Sequence, residues 1–128
     1  MYDLLSGLRV IEGSAFVAAP LGGMTLAQLG AEVIRFDPVG GGMDHKRWPL
    51  DSKGNSLYWA GLNKGKKSIA VNAREIEGRE LIEAIICQPG PDNGIFLTNH
   101  PPGGPFSYDK LKSKREDLIM VNVLGSHD

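Results

Sequence analysis

The feature that most constrains the fold is a strand–helix–strand pattern at the start of the chain, joined by very short connections. Residues 8–12 form a brief β-branched run between two glycines, which predicts a first strand. Residues 20–29 begin with Pro and are followed by Gly30, which predicts a helix. Residues 31–36 predict a second strand, and such a unit is typical of a parallel sheet. The helical repeat of the first helix runs through Leu21, Met24, Thr25 and Gln28.

The rest of the chain continues this alternation. Strands are predicted at residues 67–71, 94–98 and 118–123, and a helix over 75–87. Ser107 is the expected cap of a short basic helix. Residues 39–63 predict a long irregular connection, which in a compact domain is usually functional or covered by a partner. The nearly all-apolar strands indicate a sheet covered on both faces, so the fold class is α/β with an open, mostly parallel sheet and flanking helices.

Composition excludes several classes of protein. The 14 basic and 15 acidic side chains among 128 residues give a net charge of -1, which excludes a polycationic nucleic-acid binder and a charged disordered tail. The single cysteine excludes a disulfide framework. No apolar run approaches the roughly 18 to 20 residues that span a bilayer. We therefore expect a cytoplasmic chain with neither a nucleic acid nor a membrane as its partner.

Common catalytic and cofactor motifs are missing. The first strand is not followed by G-x-G-x-x-G, and there is no P-loop, no G-x-S-x-G and no pair of histidines at metal-binding spacing, so we expect no metal. Gly22 and Gly23 lie within the first helix, where close packing on the sheet is the expected role. Residues 40–42 are three glycines, which indicate either a phosphate-binding backbone or a flexible loop.

Three groups of residues are candidate ligand contacts. Residues 63–68 (Asn-Lys-Gly-Lys-Lys-Ser) form a basic cluster that suits phosphate, although a solvated basic turn is an open alternative. Asn99 and His100 follow the fourth strand, where polar groups face ligands in α/β sheets. Asp37 ends the second strand, either for a ribose hydroxyl or as a turn former. Residue chemistry alone therefore predicts a small α/β domain that binds a nucleotide-like anion.

The order of segments resembles a known family. Residues 8–12, 18–20 and 29–35 are similar to the opening of the family III CoA-transferases (the CaiB/BaiF group). Residues 63–69 resemble that family's N-x-x-K-[RK]-S motif, and residues 77–81 and Asn99 also match. The resemblance covers essentially the whole chain. It implies a Rossmann-like domain, an interlaced homodimer and transfer of CoA between carboxylates through an aspartyl-CoA thioester.

By position, the resemblance also assigns coenzyme A contacts but no catalytic residue. The family's nucleophilic aspartate is expected after residue 128, because Asp128 matches only the start of the glycine-rich segment that precedes it. We therefore expect residues 1–128 to be the N-terminal part of the CoA-binding domain, without the catalytic and small domains and inactive alone. The implied CoA-contacting residues are Val17, Ala18, Val71, Asn72, Ala73, Arg74, Asn99, His100 and Pro101.

Within the family, residues 12–24 and 36–38 look most similar to members that move CoA between the two carboxylates of one C5 dicarboxylic acid. Formyl-CoA transferases carry glutamine and arginine where this chain has Val17 and Pro38, which argues against formyl transfer. A non-catalytic CoA- or nucleotide-binding module, a formyl-CoA transferase and an acyl-CoA racemase remain as alternatives. Because the chain stops after its fifth strand, we also expect uncovered apolar surface there.

Overall fold

The computed structural model describes residues 2–125, which form a five-stranded parallel sheet with helices on both faces. The predicted α/β class with an open parallel sheet is therefore confirmed. The chain order is β1 (Arg9–Gly13), α1 (Ala18–Gln28), β2 (Glu32–Asp37), α2 (Leu57–Leu62), β3 (Lys67–Ala70), α3 (Ile76–Ile86), β4 (Ile95–Thr98), α4 (Tyr108–Lys114) and β5 (Ile119–Asn122). Among the described residues, no helix is both long and apolar enough to cross a membrane.

The strand order is β3-β2-β1-β4-β5, and every neighbouring pair is parallel. From β1 the chain builds outward through β2 to β3, and then it returns to place β4 on the other side of β1. The strand order therefore reverses between β1 and β4. In open α/β sheets, the carboxyl ends of the strands at such a switch point border the ligand crevice.

Each face of the sheet has its own apolar core. On one face, α3 and α4 cover the central strands through a cluster of Ile11, Phe36, Ile82, Ile86, Phe96, Leu111 and Leu118. On the other face, α1 covers β1 and β2 through Val10, Ala19, Ala27, Ala31, Val33 and Leu97. Neighbouring strand residues point to opposite faces, so Val10 and Ile11 belong to different cores.

Helix α1 buries a different face from the one that its sequence repeat indicated. Ala19, Gly23 and Ala27 are buried at four-residue spacing, whereas Leu21 is 45% exposed. Small residues let the helix backbone approach the strands closely. A Cβ atom at Gly23 would lie 1.8 Å from Oε2 of Glu12, so the expected packing role of this glycine has a specific partner.

One local prediction was wrong and a second was correct only in part. The stretch 39–63 is not wholly irregular, because α2 forms within it and its N-cap Ser56 accepts a hydrogen bond from the Trp59 N–H at 3.0 Å. Ser107 does occupy the N-cap position of α4, but its side chain makes no capping hydrogen bond. The position of Ser107 therefore predicted the start of α4 correctly, although its side chain does not make the capping hydrogen bond.

Strand β5 is the edge of the sheet, and part of its apolar surface is open. Ile119 is 57% exposed and Val121 is 48% exposed. Val121 borders a shallow groove together with Leu21 and Leu97, on the face that α1 covers farther along the sheet. The expectation of uncovered apolar surface beside the fifth strand is confirmed for the described residues.

Candidate functional site

A large cleft lies at the carboxyl ends of the strands, at the switch point. Its volume is about 1400 Å³, above the roughly 300 to 1,000 Å³ of most small-ligand sites. Its walls include residues 14–16 after β1, 36–39 at the end of β2, 71–74 after β3 and 98–108 after β4, together with residues 42–43 and residues in and after β5. A cleft of this size suits a long ligand that touches several loops.

Seven of the nine expected CoA-contacting residues line this cleft: Val71, Asn72, Ala73, Arg74, Asn99, His100 and Pro101. They come from two segments that lie on opposite sides of β1 and β2. Val17 and Ala18 do not line it. Val17 is 47% exposed at the start of α1, and Ala18 borders the shallow groove beside β5.

Asn99 connects the end of β4 to the turn that follows β1, at the switch point. Its Oδ1 accepts a hydrogen bond from the Ala15 N–H at 3.0 Å, and its Nδ2 donates to the Ala15 carbonyl at 2.7 Å. Thr98 adds a bond from its hydroxyl to the Gly13 carbonyl at 2.7 Å. The side chain of Asn99 thus satisfies the backbone of the β1–α1 turn and fixes that turn against the end of β4.

The loop of residues 71–74 is held from both ends. The Val71 N–H donates to the Asp37 carbonyl at 2.9 Å, which prolongs the pairing of β2 with β3. From α3, Nη1 of Arg79 donates to the carbonyls of Ala73 and Arg74, at 3.3 and 2.9 Å. Gly78 allows the close approach, because a Cβ there would lie 2.0 Å from the Asn72 carbonyl oxygen.

Two basic side chains give the cleft its polar character. Arg74 is exposed at the rim, and its guanidinium has no carboxylate partner within residues 2–125, so it is available to an anion. His100 packs edge-on against Phe36, with ring centroids 6.3 Å apart. Burial against the cleft wall lowers the pKa of His100 below its usual 6.5, and the positive charge of Arg35 acts in the same direction. The imidazole is therefore neutral at pH 7.

Behind the cleft lies a buried network of charged side chains that the sequence analysis did not predict. Arg35 is 1% exposed and donates from Nε and Nη2 to both oxygens of Asp37, each at 2.9 Å. Nη2 also reaches Asp44 at 3.2 Å, and Nη1 donates to Oδ1 of Asn63 at 2.8 Å. Burial alone would lower the pKa of Arg35, but its carboxylate partners together raise it.

Glu12 and Lys66 complete this network. Nζ of Lys66 lies 2.9 Å from Oε1 and 2.8 Å from Oε2 of Glu12, and it also donates to Pro20 and Asn63. Ser14 donates a further bond to Glu12 at 2.7 Å. Burial raises the pKa of Glu12 and lowers that of Lys66, while their mutual attraction opposes both shifts.

Two of the three lysines in the basic cluster of residues 63–68 pair with carboxylates of the protein, which favours a structural role for them over phosphate binding. Lys66 is enclosed by protein acceptors, and Lys67 pairs with Glu32 on the neighbouring strand. The sequences of β1 and β2 contain the signal that could have predicted a buried partner for Lys66. Glu12 and Arg35 stand in apolar runs that are buried on both faces, and a charge in such a run needs a charged partner.

No group of His, Cys, Asp or Glu side chains suitable for a metal ion occurs among residues 2–125. Cys87 has a raised pKa because of burial, and it lies outside the cleft lining. The one carboxylate that lines the cleft within the described residues is Asp37, and both of its oxygens are already bound to Arg35. The described part of the site therefore offers no free carboxylate nucleophile.

Known proteins are similar to this chain in sequence. The chain is 65% identical over 130 residues to 2-methylfumaryl-CoA isomerase of Chloroflexus aurantiacus, covering 100% of this chain and 32% of that protein. It is 34% identical to the human succinyl-CoA:glutarate CoA-transferase, covering 94% of this chain and 28% of that protein. The chain thus spans about a third of the length of the relatives it matches.

A solved structure has the same fold. The crystal structure of a CaiB/BaiF family protein from Brucella suis superposes with a TM-score of 0.81 at 31% identity, over 94% of this chain and 33% of that one. The sequence model of CoA-transferase family III matches residues 5–125. The extent of this match shows that the chain belongs to family III of the CoA-transferases, the CaiB/BaiF family.

Proposed function

We propose that this chain forms the CoA-holding part of a family III transferase that moves CoA between the two carboxylates of a C5 dicarboxylic acid, as in 2-methylfumaryl-CoA isomerase. The observation that carries the proposal is the cleft at the switch point. Residues 71–74 and 99–101, expected from the family resemblance to contact CoA, line this one cavity. The 65% identity to the isomerase supports the choice of substrate class.

The cleft divides into parts that suit different regions of a CoA thioester. The rim at Arg74 provides a positive charge for phosphate, and a hydrogen-bonded guanidinium is a strong phosphate partner. The turn of residues 99–101 provides polar backbone and a neutral imidazole for the pantetheine arm. Phe36, Phe96 and Phe106 provide apolar wall. This distribution fits a ligand with a charged head and a long, mostly neutral arm.

The nucleophile is proposed to come from outside the described residues. In the family reaction, a carboxylate attacks the thioester carbonyl, the thioester C–S bond breaks and CoA leaves as thiolate. Asp37 cannot take this part while Arg35 binds both its oxygens. The described residues are therefore proposed to bind and orient the CoA thioester, and the 128-residue chain is expected to show no transfer alone.

Calorimetric titration of the chain with CoA tests the binding role. Arg74→Gln removes the rim charge and should weaken CoA binding about tenfold or more, the usual effect of losing one charge-assisted hydrogen bond. Lys53→Gln is the matched control, because Lys53 is exposed, does not line the cleft and lies outside the basic cluster of residues 63–68. Equal affinities of the two variants would contradict the assignment of Arg74.

Incubation with mesaconyl-CoA, followed by chromatography of the C1 and C4 thioesters, tests the absence of turnover. Migration of CoA catalysed by the 128-residue chain would refute the proposal that its nucleophile lies elsewhere. CoA binding without migration also fits a second candidate function, a non-catalytic CoA-binding module, which the occupied carboxylate of Asp37 favours. Restored activity on adding the remaining two thirds of a family III relative would decide against that second function.

A further inference from the structure

The turn between β1 and α1 contains an unusual backbone conformation. Phe16 has a φ of 70°, which makes it the one non-glycine residue in the left-handed region among residues 2–125. This region is costly for a bulky side chain, and it persists where the surrounding structure holds it. Residues 14–16 line the cleft, so the strained residue lies at the candidate site itself.

Asp44 contacts the backbone of Phe16 directly. Its Oδ2 accepts a hydrogen bond from the Phe16 N–H at 2.9 Å across 28 residues of sequence. Asp44 is fully buried, although it belongs to the long connection between β2 and α2. Its carboxylate is oriented in turn by Nη2 of Arg35, at 3.2 and 3.3 Å from its two oxygens.

The turn is therefore fixed from two sides. Asn99 binds both backbone groups of Ala15 from the β4 side, and Asp44 binds Phe16 from the loop side. Arg47 in the same loop lies over the Phe16 ring, with its guanidinium carbon 5.1 Å from the ring centroid. Asn99 binds Ala15 but not Phe16, and among the described residues the Phe16 N–H donates to Asp44.

We propose that Asp44 is a positioning residue for the ligand cleft: its carboxylate holds Phe16 in the left-handed conformation and so keeps the β1–α1 turn in the shape that receives CoA. This inference rests on the proposed function for the identity of the ligand. It also assigns a role to the long connection of residues 38–56, which carries Asp44 from the end of β2 back to the end of β1.

Three substitutions separate positioning from stability. Asp44→Ala removes both the acceptor for Phe16 and the charge beside Arg35. Asp44→Asn keeps an oxygen for the Phe16 N–H but removes the charge, so it should destabilise the chain while preserving the turn. Asp51→Ala is the control, because the carboxylate of Asp51 in the same loop bonds only within residues 51–55.

The first measurement needs no ligand. Amide hydrogen exchange of the Phe16 N–H should be at least about tenfold faster in Asp44→Ala than in the unmodified chain, as expected for an N–H that loses its hydrogen-bond acceptor. Asp44→Asn and Asp51→Ala should keep the protection of this amide. If Asp44→Ala does not fold, Asp44→Ser, which keeps a small polar group beside Arg35, takes its place.

The second measurement is CoA affinity by calorimetry. Without Asp44, a smaller fraction of molecules has the β1–α1 turn in the conformation that binds CoA. We therefore expect about tenfold weaker CoA binding for Asp44→Ala. For Asp44→Asn we expect affinity within about twofold of the unmodified chain, despite a lower urea midpoint. Two results would overturn the inference. One is a loss of CoA affinity in proportion to the loss of urea midpoint in both Asp44 variants, and the other is an unchanged exchange rate of the Phe16 N–H in Asp44→Ala. If the unmodified chain binds no CoA, the proposed function fails, and Phe16 exchange alone decides whether Asp44 holds the turn.

Discussion

Adding one methyl group at Gly23 tests whether the buried ion pair fixes the distance between α1 and the sheet. A Cβ at this position would lie 1.8 Å from Oε2 of Glu12, where unstrained contacts are roughly 3.5 Å. Glu12 cannot simply swing away, because it is fully buried and is bound by Lys66 and Ser14. Gly23→Ala must therefore separate the ion pair or lift the helix.

The neighbouring glycine provides a matched control in the same helix. A Cβ at Gly22 would lie 3.6 Å from Cδ2 of Leu97, which is ordinary contact. Gly22→Ala should thus stabilise the chain by about 0.5 to 1 kcal/mol, the usual gain of Ala over Gly within a helix. Breaking a buried ion pair costs about 3 to 5 kcal/mol, so Gly23→Ala should lose about 2 to 4 kcal/mol after the same helical gain.

Urea unfolding followed by circular dichroism measures this difference. With a slope of about 1.5 to 2 kcal/mol/M for a chain of this size, the midpoints of the two variants should differ by about 2 M. In a Glu12→Ala, Lys66→Met background the clash is absent, and Gly23→Ala should become neutral or stabilising. Midpoints within about 0.3 M of each other in the unmodified background would refute the reasoning that Glu12 limits the approach of α1.

Further predictions concern the cleft and the open edge of the sheet. Arg79→Met should weaken CoA binding severalfold by calorimetry, because two carbonyls of the 71–74 loop lose their donor; affinity equal to the unmodified chain would exclude this role. The lowered pKa of His100 means that the unfolded chain binds its proton more tightly. The unfolding free energy should therefore fall as the pH drops below about 6.5, and His100→Asn should flatten the dependence of the urea midpoint between pH 7 and 5. The same change at exposed His45 is the control. Because Val121 is 48% exposed on the open face of β5, we expect this apolar face to promote self-association of the chain. Val121→Thr should then reduce self-association in sedimentation velocity, and an unchanged sedimentation profile would contradict this expectation.

The local sequence predicts helices and strands, and it also contains short motifs. The apolar strands indicated a parallel α/β sheet because a strand that is covered on both faces needs no polar side. The residues of the motif at 63–69 and of the turn at 99–101 stood out through their type and order. The sequence does not show which residues pack against each other, and α1 is an example. Its larger side chains marked the helical repeat, yet the buried stripe consists of Ala19, Gly23 and Ala27, which hydrophobic periodicity ranks low.

By itself, the sequence determined the fold class, the family and which segments are expected to contact the ligand, because each depends on residues that are neighbours along the chain. Only the tertiary structure decided that residues 71–74 and 99–101 share one cleft, because the strand order brings them together. Only the tertiary structure showed that Lys66 pairs with Glu12 and that Asp44 accepts a hydrogen bond from the Phe16 N–H. Those partners are separated by 54 and 28 residues. The interaction energy of a buried charge depends on its distance in space from the partner charge, and the packing of the helices on the sheet sets that distance.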